Sequence, residues 1–75
     1  MNCKEDKLVG AKLRQLRLEK RLKQKYVAQK INVTQSYLSK IENGAVNITI
    51  ILFMQYCSVI GADRLEVLKG LIDFI

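Results

Sequence analysis

Apolar positions along this chain recur in short helical periods separated by polar breaks. Val9, Leu13 and Leu16 fall at i, i+4 and i+7, with Lys12, Arg14, Gln15 and Lys20 between them, so the spacing predicts one amphipathic helix over residues 6–20. RLK at 21–23 interrupts the period without a Gly or Pro. A second period opens at Gln24, with Val27, Ala28 and Ile31 on one side and Lys25, Gln29 and Lys30 on the other. It should close near Lys30, because Asn32 tolerates the left-handed conformation that helix C-termini often use. Thr34 is a good N-cap, and Val33 can pack on Leu38 as a hydrophobic staple, so a third helix begins at Gln35 and is closed by Asn43 and Gly44. After a loop at 45–48, Thr49 caps a fourth helix, with Ile48 stapled to Phe53, that runs to about Ile60 and stops at Gly61. Asp63 then caps a fifth helix from Arg64 into LEVLKGLIDFI.

Five short helices in 75 residues leave no room for a linker, a repeat or a second core, so residues 1–75 read as one all-α domain. Composition agrees: 49% of residues are apolar, Pro is absent and Gly is scarce. The apolar run ITIILFMQYCSVIGA is broken by Gln55 and Ser58 and is shorter than the roughly 20 residues of a bilayer span, so it is expected to be a buried helix. The first residues, MNCKEDK, carry no apolar signal region. Cys3 and Cys57 are far apart and there is no His, so no zinc spacing or Cys–His pair can be written. These features favour a cytoplasmic protein without a metal or other cofactor. Cys57 is expected to be a buried thiol and Cys3 to lie on a frayed end. Without paired carboxylates or a glycine-rich phosphate loop, an enzyme is disfavoured.

Charge changes the picture more. Residues 1–44 hold eleven Lys and Arg against four acids, net +7, while residues 45–75 hold two against three, net −1. A basic half joined to an apolar, near-neutral half suggests one face for a polyanion and another for self-association. At about 100° per residue, Gln35, Ser39, Asn43, Ser36 and Lys40 fall within an arc of about 140° on the third helix, opposite Tyr37, Ile41 and Leu38. A merely solvated face would more often carry Glu and Lys, which are better helix formers. Gln, Ser and Asn cost helix propensity but offer short, directional donors and acceptors suited to base edges in a major groove. A helix of about seven residues, a tight turn and a second helix with this polar cluster is the helix-turn-helix pattern. Gln24, opening the first of the two helices, would face a phosphate.

The stretch LRLEKRLKQKYVAQKINVTQSYLSKIENG resembles the phage repressor and Cro-type, or XRE-like, helix-turn-helix family, and the similarity runs from about Val9 to Leu68. The resemblance rests on Gln24, Ala28, the Val33–Thr34 turn, TQSYLSKIENG and Gly61. It implies a compact five-helix, lambda-repressor-like domain, with the motif at about 24–43 and helices over 49–75 supplying core and dimer contacts. It further implies base contacts by Gln35, Ser36, Ser39 and Lys40, and phosphate contacts by Gln24 and Asn43, with Lys23 and Thr34 as neighbours. Gln35 could pair with adenine and Lys40 could donate to guanine. Tyr37 either touches DNA or covers the second helix. The family often pairs a basic residue late in helix one with the acid of ENG, here Arg17 and Glu42. The loop after ENG departs from the family, with Ala45, Val46, Asn47 and Ile48 where basic residues and a Pro are usual. The NIT segment at 47–49 resembles some restriction-modification controller proteins, regulators able to activate as well as repress.

Helix five and the tail carry Leu68, Leu71, Ile72, Phe74 and Ile75, more apolar surface than one small helix hides on a four-helix body, which suggests a two-fold interface. The tail could instead fold back to complete its own core. Three functions follow in order: a dimeric regulator on a palindromic duplex operator, an antitoxin-like or controller protein whose C-terminal helices hold a protein partner, and a basic surface binding polyanions without sequence preference.

Overall fold

The computed structural model describes residues 4–73. Among them are five α-helices: α1 (Lys4–Glu19), α2 (Gln24–Lys30), α3 (Gln35–Glu42), α4 (Ile50–Ile60) and α5 (Arg64–Ile72). Helix α1 starts earlier than the apolar period suggests, since its first turn precedes the first core position. Cys3, Phe74 and Ile75 lie outside the described residues.

The starts follow the capping residues. Thr34 Oγ1 accepts from Tyr37 N at 3.0 Å, Thr49 Oγ1 from Leu52 N at 3.1 Å, and Asp63 Oδ1 from Leu65 N at 2.9 Å. Each satisfies an N–H that the helix itself cannot. The ends of α1 to α4 share one device, a residue at positive φ whose N–H and whose successor's N–H turn back onto the last helical turn. Those residues are Arg21 (φ 57°), Asn32 (60°), Gly44 (74°) and Gly61 (71°). Leu22 N donates to Arg17 O, Val33 N to Ala28 O, Ala45 N to Lys40 O and Ala62 N to Cys57 O. Three of these stops carry residues suited to the left-handed region; Arg21 does not, which is why the sequence pattern shows no stop there.

All five helices feed one core. Leu13 comes from α1, Val27 and Ala28 from α2, Leu38 and Ile41 from α3, Phe53, Tyr56, Cys57 and Ile60 from α4, and Val67 and Leu71 from α5. Helix α1 packs on α3, α4 and α5, and α2 on α3 and α4. Val9 and Leu16, on the expected inner face of α1, are half-buried against this core. Burial corrects one expectation: Leu71 is 4% exposed and sits in the chain's own core, so it is not part of an outward dimer face. Leu68 and Ile72 do face outward. Val67 and Leu71, four apart, take the inner side of α5, leaving 65, 68 and 72 on the other. Among the described residues no helix is long and apolar enough to cross a membrane.

A close approach fixes α1 against the end of α3. A Cβ on Gly10 would run into the carbonyl oxygens of Ile41 and Glu42, the latter at 2.8 Å, and one on Gly44 would meet Lys7 Cα at 2.6 Å. Glycine at both places lets the two backbones touch where the presented helix ends.

Candidate nucleic-acid interface

Helix α3 is anchored by Leu38 and Ile41, both essentially inaccessible, which turns the opposite arc outward. Gln35, Ser36, Lys40 and Asn43 are exposed and Ser39 is half-buried. Gln24, at the start of α2, joins Gln35, Ser36, Ser39 and Lys40 around one open depression of about 550 Å³. The structure thus gathers the four expected base-reading residues with one expected phosphate ligand. Thr34 lies instead with Asn32, Val33 and Tyr37 around a second shallow depression. Its oxygen is used as the α3 cap, while its O–H remains a donor. Lys23 and Asn43 flank the motif, both exposed, at the residues bounding α2 and α3. Tyr37 is half-buried and packs against the core.

Beneath the polar face lies a buried charged cluster. Arg17 Nε donates to Glu42 Oε2 at 2.8 Å and a terminal guanidinium nitrogen to Oε1 at 3.0 Å, the paired geometry that makes Arg–carboxylate contacts strong. The other terminal nitrogen donates to Leu22 O at 2.8 Å, tying the pair to the turn before α2. The Tyr56 hydroxyl donates to Glu42 Oε2 at 2.5 Å, and Gln24 Nε2 donates to Oε1 at 3.1 Å. Among the described residues Arg17 and Glu42 are the two buried charged side chains, at 6% and 3% exposure, and each satisfies the other.

Burial by itself would raise the Glu42 pKa, but hydrogen bonds from Arg17, Tyr56 and Gln24 outweigh it and hold the carboxyl below its ordinary value. The hydrogen bond to Glu42 raises the Arg17 pKa further. Burial, and then the neighbouring carboxylate, push the Tyr56 hydroxyl up. The group is therefore charged on Arg17 and Glu42 and neutral on Tyr56 at neutral pH.

Two participants escape a reading of the sequence. Tyr56 looks like one more aromatic in an apolar helix, and the only hint of its role is that a buried hydroxyl needs a partner. Gln24, expected to face outward, also donates inward to Glu42. The other end of its amide accepts from Gln35 Nε2 at 3.4 Å.

A short helix crossing to a second helix whose solvent face is made of Gln, Ser and Lys defines a helix-turn-helix DNA-binding domain. The chain matches the helix-turn-helix family over residues 13–67 and belongs to it; the family, of XRE type, comprises DNA-binding transcription regulators, not enzymes. The chain is similar to the uncharacterized HTH-type transcriptional regulator y4dJ of Sinorhizobium fredii, 37% identical over 60 residues that span 80% of this chain and 78% of that protein. Among solved structures it resembles the clp gene regulator ClgR from C. glutamicum, with 27% identity, coverage of 95% and 92% of the two chains and a TM-score of 0.86. It also resembles the restriction-modification controller protein C.Esp1396I, with 25% identity, coverage of 95% and 93% and a TM-score of 0.84.

Proposed function

We propose that this protein is a cytoplasmic homodimeric regulator that binds a palindromic operator with α3 in the major groove and controls transcription from the promoter it occupies. The observation that carries the reading is the outward face of α3: Gln35, Ser36, Ser39 and Lys40 share one depression with Gln24, backed by a rigid core. In this reading those four α3 residues touch base edges, while Lys23, Gln24, Thr34 and Asn43 hold phosphates. The charge asymmetry supports it, because the basic excess lies in the half of the chain that contains the motif. Two copies are required because one short helix reads only a few base pairs. The likeness to a controller protein supports autoregulation, with repression by occupancy as the simplest form.

In vitro selection from random duplex DNA, followed by salt titration on the selected and a scrambled duplex, tests this. A palindromic motif and a preference of roughly a thousandfold or more are expected. Gln35→Ala should relax the choice at one position of each half-site, and Lys23→Ala should weaken all sequences alike. Equal affinity and equal salt slope on both duplexes would leave only a polyanion binder.

A further inference from the structure

The carboxylate of Glu42 has four acceptor positions, and four donors fill them: two from Arg17, one from Tyr56 and one from Gln24. A carboxylate only accepts, so the Gln24 amide must turn its nitrogen toward Glu42 and its oxygen away. That oxygen faces Gln35, which must then offer it a nitrogen, as the contact between Gln35 Nε2 and Gln24 Oε1 shows. Gln35 is left with its carbonyl oxygen and one N–H to spend outward, the pair of groups that adenine N6–H and N7 require. We propose that Glu42 is a specificity-positioning residue: through Gln24 it sets which way the Gln35 amide points, and so which base that residue selects.

The inference rests on the reading that Gln35 contacts a base edge. Glu42 itself is buried and touches no DNA. Its effect comes from being acceptor-only at the inner end of a two-amide chain whose outer end is exposed. An amide at position 42 can donate as well as accept. Gln24 is then free to reverse, Gln35 reverses with it, and adenine loses its matched partner.

The test uses the full chain and the selected operator with each half-site position replaced in turn by the other three base pairs. Binding is measured for the wild type, Glu42→Gln, Gln24→Met and Gln35→Ala, below the melting temperature of each. The wild type should prefer one base pair at the Gln35 position by roughly tenfold. Glu42→Gln and Gln24→Met should both lose that preference while keeping discrimination at the other positions. Gln24→Met leaves the Arg17–Glu42 pair intact, so its effect cannot come from a loosened fold; loss of a phosphate contact alone would weaken all variants of the site alike. Retention of the preference in Gln24→Met overturns the proposal, even if Glu42→Gln loses discrimination everywhere. If Gln35→Ala alters no position, the base-reading role of Gln35 fails and the relay fails with it. If only Gln35→Ala alters that position, the reading stands and the relay is overturned.

Discussion

Glu42 sits where four helices meet, α3 with Arg17 of α1, Gln24 of α2 and Tyr56 of α4, and its partners decide what a change there costs. Glu42→Gln keeps the shape but leaves Arg17, 6% exposed, without a charge to answer it. Breaking a buried pair in this way is expected to cost on the order of 3 kcal/mol, read as a lower urea midpoint at unchanged slope. The same cluster sets a pH window. The folded-state pKa of Glu42 is lowered, so its contribution is complete above the ordinary carboxyl value of 4.5 and is lost as pH falls from there through the lower folded value. The Tyr56 pKa is raised in the folded state, so its contribution is complete below the ordinary phenol value of 10.0 and is lost as pH rises beyond it. Urea titrations from pH 3 to pH 11 should show a plateau between these limits, and the acid limb should flatten in Glu42→Gln. From the sequence, the Arg17–Glu42 contact can be anticipated through the ENG resemblance alone. The Tyr56 and Gln24 contacts cannot, because each joins residues from different helices, and helical period says nothing of which polar tips meet.

Helix ends show the same division. Thr34, Thr49, Asp63, Asn32 and Gly61 announce themselves because their chemistry matches a local backbone demand, and all five boundaries are legible there. Arg21 holds the same left-handed geometry with a side chain that gains nothing from it. Arg21→Gly is therefore expected to raise stability by about 1 kcal/mol, seen as a higher melting temperature with the circular dichroism unchanged. Two glycines inside helices make the complementary case, since sequence gives no way to tell Gly10 in α1 from Gly70 in α5. A Cβ on Gly70 meets nothing within 4 Å, whereas one on Gly10 strikes the α3 backbone. Gly70→Ala should stabilise by up to about 1 kcal/mol through helix propensity. Gly10→Ala should destabilise by about 2 kcal/mol, because the backbone it meets cannot move without displacing the end of α3. Equal effects in the two variants would mean that α1 and α3 do not approach as closely as described.

On the scale of the whole molecule, the unresolved demand is apolar surface. Leu65, Leu68 and Ile72 fall at i, i+3 and i+7 on α5, 71%, 41% and 61% exposed, and Ile50 and Ile51 at the start of α4 are 64% and 66% exposed. Solvated singly they would be unremarked, but a row on one helix of a 75-residue chain is a candidate contact between copies. Leu68→Lys places a charge in the middle of that row at a position half open to solvent, so the fold should survive. Sedimentation should show the wild type passing from monomer to dimer with rising concentration and the variant remaining monomeric. Affinity for the palindrome should fall more than a hundredfold, because the second half-site is no longer held at the millimolar effective concentration that tethering provides, while affinity for a single half-site should hardly change. A variant that stays dimeric and binds as the wild type does would move the interface off this row, leaving α5 free for a protein partner. A wild type that is monomeric at every concentration would remove the need for a palindrome altogether.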